Sequence, residues 1–417
     1  MKIFKNKKRK YIIITSLVST FVVAGLIITH YNYIPKEEHL IGAYINGTYS
    51  ETLPSKGSGY KVEKIVCDNN KNASWDYDKW GIKLSNWGTR SRCNIYFKSL
   101  ESFTLANKTF YLDEMQRCPT MNSDGTVTVT GAEDTSGYLC KAKDAYGDSY
   151  YYRGNVTNNY VLFAGKYWRI IRYNGDGTVR VIYDGTSAHA NGESSADRQI
   201  GESAFNNNSR DNAYVGYMYG QKGASTYAAA HANTNDSTIK AYIDNWYKTN
   251  IVGTANEQYI ADNIFCNDRS FAPNNSGTGA GTSATDYRWH NLAGNSNNNK
   301  MMLTCSQKND AFTVNDTSKG NGALTYGIGL VTTDEVVLAG GWSSGNLNYY
   351  LHSGQDYWAM SPNYFDGYDA NERYVSSSGF AFNGHYVNRT HGARPVLNLS
   401  FEILKHGNGT ASDPYHA

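Results

Sequence analysis

Tyr160–Tyr183 reads YVLFAGKYWRIIRYNGDGTVRVIY. Two runs rich in aromatic and β-branched residues, Tyr160–Tyr173 and Thr178–Tyr183, flank Asn174-Gly-Asp-Gly177. Asn, Asp and Gly supply the turn conformations that other residues resist, so the pattern predicts a β-hairpin. A calcium-binding EF-hand at the same cluster would need five more loop positions ending in Glu, and the sequence lacks them. The same grammar recurs upstream. Asn122-Ser-Asp-Gly125 precedes Thr-Val-Thr-Val-Thr, and period-two alternation runs through Tyr60–Val66 and Trp80–Leu84. Tyr contributes 35 residues and Gly 40, against only 7 Pro and 18% charged residues. That mixture suits short strands joined by Gly- and Asn-rich turns, and the expected class is α+β, mostly β.

Two helices are expected within this β background. Ile239, Tyr242, Ile243 and Trp246 recur at helical spacing behind Asp236 or Ser237 as N-cap. Thr254-Ala-Asn-Glu257 has the form of a capping box and predicts a second helix reaching Phe265. The stretch from Pro273 to Lys300 is expected as a long loop, and Tyr326–Gly340 as a strand followed by a short capped helix. Glu335, at the start of that helix, is expected to face its N-terminal dipole.

The charge is segregated. The whole chain carries 39 Lys and Arg against 37 Asp and Glu, but six of the bases lie within the first ten residues. The remainder is therefore slightly acidic, and nucleic acid is excluded as a partner. Tyr11–Thr29 is uncharged and just long enough to span a bilayer core of about 30 Å. The basic residues 1–10 are expected in the cytoplasm, 11–29 as a transmembrane signal anchor, and all that follows outside the cell. Cleavage near Val22-Val23-Ala24 is the alternative, leaving a secreted protein. Six cysteines in an exported chain predict three disulfides, and domain boundaries favour Cys67–Cys93, Cys118–Cys140 and Cys266–Cys305 among the 15 pairings that six cysteines allow. No cysteine or histidine spacing indicates a structural metal.

Beyond a polar stalk, the expected organisation is a small β module at 39–99, a disulfide-closed connector at 100–150, and a large domain at 151–417. The module resembles a small repeat of Gram-positive surface proteins through GAYINGTYSETLPSKGSGY (42–60) and SWDYDKWGIKL (74–84), which implies a β-sandwich-like spacer. The large domain resembles a bacterial surface-protein family of unassigned function related to the formylglycine-generating enzyme and C-type-lectin folds. The matching elements, in order, are YWRIIRYNGDGTVRVI (167–182), STIKAYIDNWY (237–247), GIGLVTTDEV (327–336), YWAMSP (357–362) and GARPVLNL (392–399). The resemblance implies a C-type-lectin-like or sulfatase-modifying-factor-like domain: an irregular α+β fold with a twisted antiparallel core and long surface loops. It does not carry over copper chemistry, because the paired cysteines that the formylglycine-generating enzymes use near the C-terminus have no counterpart after Cys305.

The site candidates concentrate between Trp358 and Arg394. Trp358, Tyr364, Tyr368 and Tyr374 could stack on a sugar, or pack their own loop. Asp366, Asp369, Asn371 and Glu372, with Ser361-Pro-Asn, offer oxygens of the kind that hold calcium in lectins, although no Glu-Pro-Asn-type motif fixes them. Arg394, in an apolar run before Pro395, would hold a carboxylate or sulfate if functional and pair with an internal acid if structural, and the structural role is the expected one. No nucleophile elbow, phosphate-binding loop or dinucleotide fingerprint occurs. The expected function is therefore a non-catalytic, cell-surface binding protein or adhesin for glycan or protein. An extracellular enzyme acting on polysaccharide and a structural envelope component are the alternatives.

Overall fold

The computed structural model describes residues 39–68, 73–84, 91–113, 116–290 and 299–417. The expected cytoplasmic segment, membrane anchor and stalk lie outside the described residues. Among the described residues no helix is long and apolar enough to cross a membrane. The chain is mostly β with few helices, and it divides into two compact units near Ser102.

In the first unit, strands Thr48–Ser50, His39–Ile45, Ser91–Ser99 and Tyr60–Cys67 form a four-stranded sheet in that order. His39–Ile45 and Ser91–Ser99 run parallel, the other neighbours antiparallel. The alternation read at Tyr60 and Trp80 becomes strands Tyr60–Cys67 and Gly81–Leu84, the latter paired with Ala73–Asp76. Ala43, Ile95 and Phe97 are buried, and Trp75, Trp80 and Ile82 of that hairpin close over them. A core this small benefits from a covalent link. Cys67 and Cys93 are register partners in the sheet and are disulfide-bonded.

In the second unit, the stretch that opens the reading forms the middle of a seven-stranded sheet. The order is Tyr138–Asp144, Gly147–Arg153, Lys166–Tyr173, Val179–Gly185, Val396–Leu399, Ile328–Gly329, with Tyr160–Phe163 also paired to Lys166–Tyr173. The run Tyr160–Tyr173 is two strands rather than one. Ala164 and Gly165 both take positive φ, +51° and +67°, and turn the chain in two residues. The next turn closes as expected: Asn174 N–H donates to the Thr178 carbonyl, and Asp176 Oδ1 accepts from the Thr178 N–H and hydroxyl. Asn122–Thr126 repeats this bonding in the short hairpin Thr120–Met121/Val127–Thr128.

The segment 100–150, expected as a connector, instead supplies strands Tyr138–Asp144 and Gly147–Arg153 to this sheet, while Cys118–Cys140 closes it as predicted. Cys266–Cys305 completes the three expected bridges. Three disulfides suit an extracellular, oxidising environment.

Helix Thr238–Asn250 forms where predicted. Ser237 Oγ accepts from the Lys240 N–H, and Ile239, Ile243 and Tyr247 are buried. The second predicted helix is corrected to a single 3-10 turn, Glu257–Tyr259. Glu257 bonds back to the Gly253 N–H, and the chain then pairs with the sheet: Ala261 donates to the Asn398 carbonyl and Ser400 to that of Tyr259. Tertiary pairing outweighs the local helical signal here. Helix Thr333–Leu338 carries the full Thr332/Glu335 capping box. Glu335 does more than meet the dipole: its buried carboxylate takes Arg172 Nε at 3.2 Å and Arg180 Nε at 2.5 Å. These guanidiniums outweigh the cost of burial and hold its pKa below the ordinary value.

The second sheet carries the candidate site. Its order is Glu202–Ala204, Thr390–Gly392, Tyr357–Phe365, Ala370–Val375, Asn383–Tyr386, with Thr285–Asp286 beside the end of Tyr357–Phe365.

Candidate ligand-binding surface

Strands Tyr357–Phe365 and Ala370–Val375 form a hairpin whose tip is Asp366-Gly-Tyr-Asp369. The sequence dictates the tip. Gly367 takes φ +95°, and Asp366 Oδ1 accepts the N–H groups of Tyr368 and Asp369, both at 2.7 Å. Asp369 is tied down in turn, accepting from Ser209 Oγ at 2.5 Å with Arg210 Nε at 3.5 Å. A tip so fastened holds its side chains out. Tyr368 is 71% exposed.

Three further rings belong to the same end of the sheet. Tyr364 is half-buried, with His290 4.7 Å away centroid to centroid and Asn371 Nδ2 donating to its hydroxyl at 3.4 Å. Asn371 is itself set by Asn363 Nδ2 at 2.7 Å. Tyr386, the register partner of Asn371, directs its hydroxyl to Asp366 Oδ2 at 3.5 Å. His290 Nδ1 lies 2.7 Å from Asp286 Oδ1. Burial and the neighbouring Tyr386 and Asp366 raise the Tyr364 pKa, so its phenol stays neutral. The result is a tyrosine-rich surface edged by Asp286, Asp366 and Asn371: flat apolar faces beside polar acceptors, which suits a ring-shaped polyol. His290 and Tyr386 are absent from the sequence-based selection. Nothing in the linear pattern links residue 290 to residue 364.

The remaining candidates are placed elsewhere. Trp358 is fully buried, donating its indole N–H to the Ser203 carbonyl at 2.9 Å, and cannot stack on a ligand. Tyr374 packs face to face on His391 at 4.3 Å, whose Nε2 lies 2.7 Å from His385 Nδ1. Burial and then His385 push the His391 pKa down to about 4. Glu372 is buried, neither carboxyl oxygen has a well-formed hydrogen bond, and burial raises its pKa well above the carboxylate range. Arg394 is buried and bonded to Asp184 Oδ1 at 3.0 Å and to the Leu351 carbonyl at 2.8 Å, the structural role. The expected lectin-type oxygens therefore do not converge. Asp366 and Asp369 are spent on backbone and side-chain donors, Glu372 points into the interior, and Ser361 Oγ accepts the Thr333 N–H. Among the described residues no group of three or more His, Cys, Asp or Glu is placed to hold a metal ion.

Two other depressions are polar but internally satisfied. A cleft beside Cys266 is lined by Arg172, Arg180, Asp268, Arg288, Asp334 and Glu335, which pair with one another. A groove of about 390 Å³ contains Arg117, Glu133 and Arg153. Arg117 pairs with Asp113, Glu133 accepts from Tyr138, and Arg153 donates to three carbonyls. Compared with protein-family models, curated proteins and solved structures, the chain matches none.

Proposed function

We propose that this chain is a non-catalytic binding protein, tethered at the cell surface by its N-terminal apolar segment, whose C-type-lectin-like or sulfatase-modifying-factor-like domain presents the Tyr364–Tyr368–Tyr386 surface to extracellular glycan. The observation that carries the reading is Tyr368, a large ring held exposed on a loop whose backbone is fixed by Asp366. An exposed aromatic costs solvation and gains nothing in the fold, whereas a rigid ring loses little entropy on contact with a ligand. Partnered carboxylates at the same tip favour binding over hydrolysis, which needs an acid free to give up its proton.

The test is binding of the purified protein to arrays of glycans and extracellular proteins, with and without added calcium. The reading expects glycan hits that weaken at least about tenfold, or 1.4 kcal/mol, in Tyr368→Ala, with unchanged melting temperature. A folded protein that engages no glycan, or binding indifferent to Tyr368 and Tyr386, overturns it.

A further inference from the structure

Away from that surface, the chain returns on itself between His406 and His416. The two residues are paired directly across an antiparallel bridge: His406 N–H donates to the His416 carbonyl at 3.0 Å, and His416 N–H to that of His406 at 3.2 Å. Both side chains are exposed, with ring centroids 5.4 Å apart and planes inclined by 32°. Directly opposed cross-strand side chains leave from Cβ atoms about 5 Å apart on the same face. His416 Nδ1 lies 3.1 Å from the Pro414 carbonyl oxygen. A carbonyl only accepts, so Nδ1 carries the hydrogen and the neutral ring keeps its lone pair on Nε2. Metal-ligating histidines commonly donate their other ring N–H to a backbone carbonyl in this way, which fixes tautomer and ring direction.

The loop is rigid where it matters. Between the two histidines, Tyr415 is buried, accepting from the Leu162 N–H and donating its own N–H to the Tyr160 carbonyl. Asn408 and Gly409 both donate to the Asp413 carbonyl, and Lys108 Nζ donates to that of Gly407 at 2.9 Å. The backbone under the pair is thus fixed before any ion arrives.

We propose that His406 and His416 form a two-imidazole chelate for a borderline divalent transition ion, Cu2+, Ni2+ or Zn2+. Imidazole nitrogen suits these ions, and hard Ca2+ or Mg2+ would pass it by. Two nitrogens bonded at about 2.1 Å to one tetrahedral ion stand about 3.4 Å apart, within reach of these rings by rotation about their side-chain bonds. Two positions on the ion remain open to water or to donors from another molecule.

The test is titration of the purified full-length protein with CuCl2, NiCl2 and ZnCl2, separately, in a non-coordinating buffer, read by calorimetry and, for copper, by electron paramagnetic resonance. The expected result is one equivalent bound with a two-nitrogen copper signature. Affinity falls at least about tenfold in His406→Gln and in His416→Gln, and the site is absent from the double variant. Both rings are exposed, so the variants keep the wild-type melting temperature. Equal binding by wild type and double variant, or no stoichiometric binding by wild type, overturns the proposal and leaves a simple ring-stacking pair.

Discussion

Arg394 Nη2 lies 3.0 Å from Asp184 Oδ1, and neither side chain is exposed to water. Arg198 Nη2 reaches the same oxygen at 2.7 Å, and Arg169 Nη1 lies 3.8 Å from Oδ2. One buried carboxylate is therefore shared by three buried guanidiniums. Asp184→Asn removes the charge without changing the shape, and breaking a buried pair this way costs about 3–5 kcal/mol. A urea midpoint close to wild type would show that the arginines are balanced by other groups.

Glu372 gives a pH effect with a definite sign. Burial raises its pKa well above the ordinary 4.5, so the native state holds a proton that the unfolded chain gives up. Its contribution to stability is full below the unfolded pKa and declines as pH rises above the carboxylate range. Glu372→Gln, which cannot ionise, is expected to raise the melting temperature at pH 8 relative to wild type and to change it little at pH 4. The comparison of the two proteins by calorimetry across that range is the check.

His391 acts in the opposite sense. Its pKa is lowered from 6.5 to about 4, chiefly by burial, so the unfolded chain binds the proton first. The stability linked to it is full above pH 6.5 and is lost as pH falls from there to about 4. Titration of the imidazole by NMR should place its midpoint well below that of a free histidine. A midpoint at or above 6.5 would contradict the packed position under Tyr374.

Reduction of the disulfides tests their weight in the fold. Cys118–Cys140 and Cys266–Cys305 span 22 and 39 residues. Loops of that size are worth about 3–4 kcal/mol each when closed. Verified reduction should lower the denaturation midpoint clearly, and an unchanged midpoint would argue that the bridges are incidental.

Much of the fold was legible because the signals were local. The Asn174–Gly177 turn, the Ser237 cap with its apolar stripe, and the Thr332/Glu335 box all state their geometry within a few residues. The failures were non-local. Thr254–Phe265 looks helical until Asn398 and Ser400 offer it a partner. Trp358 reads as a stacking candidate because Trp and Tyr supply large rigid contact area in binding loops. In fact Tyr357–Phe365 is flanked on both sides and covered on both faces, leaving only Tyr364 half-exposed. Of the binding candidates, Tyr368 and Asp366 prove to sit at the tip, where Gly367 takes φ +95°, a geometry the glycine-containing loop does not state by itself. His290 could be found only by folding the chain.

The placement of Val396–Leu399 has a consequence for timing. It fills the slot between Val179–Gly185 and Ile328–Gly329, with Val181 opposite Leu397. Until synthesis has passed residue 399, the large sheet stays split and its central apolar strands lack a neighbour. Closure across so long a separation is slow. A chain threaded outward from its N-terminal end would emerge open, and lock only once Val396–Leu399 had passed through.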